Sequence, residues 1–367
     1  MTRSALGVVL ASALALSADV LLAGARLEDV RFDNGPITLV GRLHVPDSEG
    51  PHPALVFTHG SGDAGRDNRR YLLEAEYLAG YGIASLLYDK RGSGDSTGDW
   101  QSSTFEDLAG DALAAVAFLK AHNEIDPSQI GLRGASQSGW ILPIAADRSR
   151  DVAHMILISP AGVSPYDQIV YDVRTDLEDA GFVGQDVDDA LAVLRSGLEY
   201  ARTGQGWSRH QQVLENAEGK PWLSIASGPP TADHWMWSWI RPVIDFDVVP
   251  VLERIPTPVL VLLGDEDREC PSQIAGWVHE NALGRRSEGV HSIRYFRGAD
   301  HGLRVRSRRK GDQEPPLADG YLEAIRDWVL DLAGITRIAT KDVRSPCVSA
   351  VAATSRVSAS TASHRRK

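Results

Sequence analysis

The chain has 367 residues, 43% of them hydrophobic and 24% charged, with a formal net charge of −11. That is enough apolar material for one large α/β domain, with or without an insertion, and it excludes a disordered or fibrous chain. An acidic body with no basic groove laced with aromatics excludes nucleic acid as the main partner.

At the N-terminus a lone early cation (Arg3), an apolar run over residues 5–16 and the small residues Ala23, Gly24 and Ala25 read as a signal peptide over residues 1–25. Asp19 interrupts the apolar run, which is shorter than the roughly 20 residues a membrane-spanning helix needs. The expectation is a secreted or periplasmic protein with no stable membrane insertion after cleavage.

VRFDNGPITLVGRLHVP follows, with the alternation of a β-hairpin turning at Asn34-Gly35. Short runs rich in Val, Ile and Leu at residues 54–58, 83–88, 130–133, 155–159, 259–263 and 292–296 predict buried parallel strands. Helical periodicity at residues 105–121, 139–147, 273–282 and 317–332 fills the intervals. Strand and helix in alternation predict an α/β fold with a doubly wound, mostly parallel sheet, whose ligands bind beyond the carboxyl ends of the strands.

Between Ser159 and Val259 the alternation breaks, and a helical cap insertion is expected over about residues 162–256. Its first part, residues 167–202, is helical and acidic. Its second part reads as loop and holds Trp207, Trp222, Trp235, Trp237 and Trp239. Most of these should pack the cap on the body, with one or two lining an acyl or aromatic pocket. Residues 336–367 are rich in Ser, Ala and Thr; from Lys341 onward they carry six cations against the single anion Asp342, which reads as a disordered basic tail. Cys270 and Cys347 are expected to be unpaired thiols.

IGLRGASQSGW joins a buried strand to a helix through a tight turn, the context in which Gly-x-Ser-x-Gly presents a nucleophile. Centring the motif on Ser138 would need glycine at positions held by Ser136 and Trp140, so the register selects Ser136 and leaves Ser138 standing in for a glycine. The N–H of Gln137 then lies at a helix N-terminus, where it favours an oxyanion. A second donor is expected from His59-Gly60-Ser61-Gly62, at Ser61 or Gly60, with His59 shaping the loop. Serine needs a base, and the base a carboxylate. GDEDRECP offers Asp265, Glu266 and Asp267 past one strand end, and ADHGL offers His301 past the next. Asp267 is the first choice of carboxylate and Asp265 the second. Asp89, Lys90 and Arg91 follow another strand as polar residues on the same functional edge. No His, Cys and carboxylate cluster has metal-ligand spacing and no Gly-x-Gly-x-x-Gly opens a helix, so neither metal nor cofactor is expected.

HGSGDAGRD, LLYDKRGSGDSTG, GASQSGW, GDEDRECP and ADHGL together resemble bacterial α/β-hydrolases of the serine esterase and prolyl-oligopeptidase-like type, over about residues 28–335. The resemblance implies a capped α/β-hydrolase with Ser136 as nucleophile, Asp267 as acid and His301 as base, and a structural role for residues 89–91, with Asp89 and Arg91 fixing loops by ion pairs. Two departures stand out: Ser138 in the elbow and the basic run 304–310 after His301. The expected activity is hydrolysis of a small-molecule acyl ester through an acyl-enzyme. An aminopeptidase or other short-peptide hydrolase, and a thioesterase or acyltransferase, could use the same triad. A non-catalytic binding protein would predict a broken one.

Overall fold

The computed structural model describes residues 24–305 and 315–335. The expected signal peptide up to Ala23, the basic tail with Cys347 and positions 306–310 of the basic run lie outside the described residues.

Eight strands form one sheet: β1 (Ala25–Asn34), β2 (Ile37–Pro46), β3 (His52–Thr58), β4 (Ala84–Tyr88), β5 (Ile125–Ala135), β6 (His154–Ile158), β7 (Val259–Gly264) and β8 (His291–Phe296). Their order is β1-β2-β4-β3-β5-β6-β7-β8. The β1–β2 and β2–β4 pairs are antiparallel and the others parallel. Residues of the central strands alternate between two cores, as the two-residue period of a strand dictates. Leu55, Phe57, Ile156, Ile158, Leu260 and Leu262 face α1 (Arg69–Ala79) and α11 (Tyr321–Leu332). Ala54, Val56, Met155, Leu157, Val259 and Val261 face the opposite layer, which includes α2 (Phe105–Lys120), α3 (Ser138–Arg148) and α10 (Ser272–Gly284). Covered on both faces, β3, β4, β6 and β7 are buried along their whole length, which is why they read as continuous apolar runs.

Several boundaries differ from the sequence reading. Asn34 ends β1 and pairs with Ile37, so the hairpin turns at Gly35-Pro36, with Gly35 in the left-handed region at φ +58°. β5 starts at Ile125, ahead of its apolar core, because Ile125 pairs with His52 before the register shifts and Ile130 meets Ala54. Helix α11 begins at Tyr321, after the left-handed Gly320, while Leu317 bridges to Arg304. Helix α1, not singled out from sequence, buries Tyr71, Ala75, Leu78 and Ala79 along one face, and the Asn68 side chain caps it by accepting the N–H groups of Arg70 and Tyr71.

Six helices lie between β6 and β7: α4 (Pro165–Asp179), α5 (Gln185–Thr203), α6 (Trp207–Asn216), α7 (Leu223–Ala226), α8 (Trp235–Ile240) and α9 (Val249–Leu252). The part expected to be helical and acidic is two helices, α4 and α5, separated by Gly181 and Gly184, both at positive φ. The expected loop is largely helical, and Trp222 (1% exposed) and Trp237 (5%) are buried, as residues that pack the cap should be.

Candidate active site

β5 ends at Ala135 and α3 begins at Ser138, so the chain must reverse over two residues. Ser136 takes the strain, at φ +52°. A non-glycine residue there costs on the order of 1–3 kcal/mol and persists only where its surroundings overdetermine it. They do: the Ser136 N–H donates to Ile158 O (2.9 Å), and Ser136 O accepts the Gly139 N–H (2.8 Å). A methyl group at Gly134 would overlap Ser138 and Thr58, so only glycine lets the two arms of the elbow approach.

Ser138 is fully buried. Its hydroxyl donates to His59 O (2.7 Å) and shares a hydrogen bond with Thr58 Oγ1 (2.9 Å), stitching the elbow to the loop after β3. Ser138 therefore does more than fill a glycine's place. Ser138→Ala is expected to lower stability by about 1–3 kcal/mol, because it removes the hydroxyl that donates to the buried His59 O. Thermal unfolding checks this, and an unchanged Tm would mean that the stitch contributes nothing.

Asp267 and His301 come together from the loops after β7 and β8. His301 Nδ1 and Asp267 Oδ2 are 2.9 Å apart, and Asp267 is 3% exposed. Asp267 Oδ1 accepts the N–H groups of Glu269 (2.9 Å) and Cys270 (2.8 Å), which fixes the carboxylate. Asp265 instead accepts the Gly298 N–H (2.5 Å) and Glu266 is exposed, so the geometry favours Asp267. Burial opposes a charge on His301, but the hydrogen bond and charge of Asp267, with the charge of Glu269, outweigh it and raise its pKa above the usual 6.5.

The end of β6 ties this pair to Ser136. Ile158 O holds the Ser136 N–H, and the hydroxyl of the next residue, Ser159, donates to His301 O (2.8 Å). Among the described residues no hydrogen bond joins Ser136 Oγ to His301; Nε2 of His301 has Glu269 Oε2 at 3.6 Å instead. Neither Ser159 nor Glu269 was singled out from sequence. Glu269 sits in the quoted GDEDRECP, but only folding reveals which nitrogen it faces.

The loop after β3 lies alongside. A Cβ built on Gly60 would sit 3.6 Å from Ser136 Cβ. Among the described residues, the N–H groups of Gly60, Ser61 and Gln137 donate to no protein acceptor. His59 is buried and its Nε2 meets Tyr88 O at 2.7 Å. Burial, with the nearby charges of Lys90 and Arg133, pushes its pKa down to about 3, so the ring is neutral and Nε2 carries the proton it donates. Its place is that of a loop-shaping residue. Arg91 pairs with Asp111 (2.6 Å), and Asp89 holds the Arg66 guanidinium and the Asp95 N–H, so both brace loops. Lys90, grouped with them from sequence, points elsewhere: its Nζ reaches Gly60 O, Gly62 O and Gln137 Oε1.

A cleft of about 640 Å³ opens on the His301 side, lined by Tyr171, Asp267, Glu269 and His301 among others. Tyr171 of α4 donates to Asp267 O (3.0 Å). Its neighbour Asp172 is pushed up to about 6 by burial and by the carboxylates of Asp176 and Glu269. Within the cap lies an apolar cavity of about 190 Å³, lined by Ile169, Val173, Trp237 and Trp239 among others. Asp267, Cys270 and His301 place three possible metal donors within 4.8 Å of one another. They suit a metal poorly: Asp267 and His301 already bond each other, and burial keeps the Cys270 thiol protonated.

Residues 34–282 match the family described as X-Pro dipeptidyl-peptidase (S15 family), a span that holds Ser136 and Asp267 and ends before His301. The chain is 28% identical over 171 residues to Esterase EstD of Thermotoga maritima, covering 44% of this chain and 40% of that protein, less than half its length. It is 32% identical over 247 residues to Quorum-quenching protein AidA of Acinetobacter baumannii, covering 67% of this chain and 80% of that one. Est1E from Butyrivibrio proteoclasticus, solved with ferulic acid bound, superposes with a TM-score of 0.52 at 20% identity over 83% of this chain and 97% of the other, a likeness of fold. With an α/β-hydrolase sheet and a family match over well more than half its length, the chain belongs to the X-Pro dipeptidyl-peptidase (S15) family of hydrolases.

Proposed function

We propose that the protein hydrolyses carboxylic esters of small molecules through an acyl-enzyme on Ser136. Ser136 Oγ attacks the acyl carbonyl while His301 Nε2 takes its proton, and Asp267 holds the imidazolium through Nδ1. The carbonyl oxygen becomes an oxyanion held by the N–H of Gln137 and that of Ser61 or Gly60. Collapse expels the alcohol, which receives the proton from His301. Water, activated by the same imidazole, then displaces Ser136 and releases the acid. The observation that carries this reading is the end of β6, where one residue holds the strained Ser136 and the next holds the backbone of His301, itself paired with Asp267. Export of the enzyme rests on residues 1–25 alone.

Peptide hydrolysis is the second reading. The family match favours it, and so do Glu269 and Asp172, carboxylates close to His301 that suit a substrate amine. A panel of p-nitrophenyl acyl esters, acyl thioesters and aminoacyl or X-Pro p-nitroanilides separates the readings. The esters are expected to exceed the anilides in kcat/KM by about 100-fold or more, a gap that differential transition-state binding can supply. Anilides turned over faster than esters would move the assignment to a peptidase, and thioesters turned over faster than both would move it to a thioesterase.

A further inference from the structure

We propose that Lys90 is a positioning residue that sets the orientation of the oxyanion-binding N–H groups. The inference rests on the reading of Ser136 as nucleophile. Lys90 is 3% exposed, yet its ammonium finds three acceptors for its three protons: Gly60 O (2.9 Å), Gly62 O (3.1 Å) and Gln137 Oε1 (3.0 Å). Two of these lie on the loop after β3 and the third on the residue that follows Ser136. The two segments that carry the free N–H groups are thus gripped by one cation.

Peptide geometry gives the grip a direction. The Gly60–Ser61 peptide is trans, so its carbonyl and its N–H point in opposite senses. With Gly60 O turned onto Lys90, the Ser61 N–H is turned away from it. A carbonyl bonded to a cation also polarises its own peptide, which strengthens the N–H on the far side as a donor. The Gln137 side chain is held by the same ammonium while its N–H stays free.

The cost of burying this cation argues against a role in packing alone. All three acceptors are uncharged, so burial is not offset by a direct ion pair, and a buried charge without one is expensive. The groups facing it are few. Asp63 lies on the gripped loop, Asp111 of α2 is already committed to Arg91, His59 is neutral, and Trp100 presents its ring at 5.4 Å. Burial lowers the pKa of Lys90 from 10.5 to about 8, only partly offset by Asp63 and Asp111. Below that pH the amine is charged and fills all three acceptors. Above it one donor is lost.

The test uses p-nitrophenyl butyrate and the wild-type, Lys90→Met, Gln137→Met and Ser136→Ala proteins, with thermal unfolding as a fold control. Lys90→Met keeps an unbranched, apolar stem, one atom shorter, and removes the charge and the donors. It is expected to lower kcat about 100-fold, near the effect of removing one oxyanion donor, with KM changed less than about threefold. The wild-type kcat should fall above about pH 8, and that limb should vanish in Lys90→Met. Folded Lys90→Met that keeps its kcat, or loses kcat but keeps the alkaline limb, would overturn the proposal. Should Lys90→Met fail to fold, Gln137→Met decides: losing one acceptor should move the limb to lower pH, and an unmoved limb counts against Lys90. Ser136→Ala keeps the failures apart, since full activity there refutes the nucleophile, whereas an inactive Ser136→Ala beside a fully active Lys90→Met refutes Lys90 alone.

Discussion

Ser136→Ala is expected to lower kcat for p-nitrophenyl butyrate by about a million-fold, the scale on which loss of an unaided nucleophile is felt, with little change in Tm. The substitution removes one oxygen and leaves the fold's claims on this residue untouched, because the bonds that hold it are made by its backbone to Ile158 and Gly139. Alanine at φ +52° carries strain similar to that of serine, so the cost of the elbow is not relieved. A fluorophosphonate probe should label Ser136 in the wild type and leave Ser138 unmodified, since Ser138 is fully buried and its proton is engaged by His59 O. An adduct mapped to Ser138, or a Ser136→Ala protein that keeps more than about 1% of turnover, would displace Ser136 from the mechanism.

The parts of the site that could be read in the chain are those fixed by strand ends. Asp267 follows the fully buried β7, whereas His301 follows β8, an edge strand whose residues are mostly half-buried or exposed rather than buried as its sequence suggests. A parallel sheet still brings both strand ends to one edge, so their contact was expected from order alone. Contacts made across the fold carry no such mark. Lys90 and Gln137 are separated by 47 positions, and Ser159 and His301 by 142. Nothing local to Lys90 distinguishes a residue bracing its own loop from one gripping another. The cap shows the same limit: Trp222 and Trp237 are placed by packing, and their short helices have too few turns for a period to emerge. The left-handed glycines that start α11 and divide α4 from α5 are visible as glycines, but their φ is a tertiary outcome.

Asp267→Asn is expected to lower kcat about 10,000-fold, while Asp265→Asn stays within a few-fold of the wild type. The reason lies in how Asp267 divides its oxygens: Oδ1 serves the N–H groups of Glu269 and Cys270, and Oδ2 serves His301. An asparagine has one oxygen for both duties. If that oxygen stays with the two N–H donors, the amide NH₂ faces Nδ1, which must then accept, and the ring proton moves to Nε2. A histidine in that tautomer cannot take the proton of Ser136. The pH profile reports the same contact independently. Imidazolium cannot act as a base, so wild-type kcat/KM should fall as pH drops through a His301 pKa raised above 6.5. Removing the charge of Asp267 leaves burial opposed mainly by Glu269, and the acid limb should move to lower pH. An acid limb unmoved in Asp267→Asn, or a larger loss of kcat in Asp265→Asn, would reassign the carboxylate partner of His301 to Asp265.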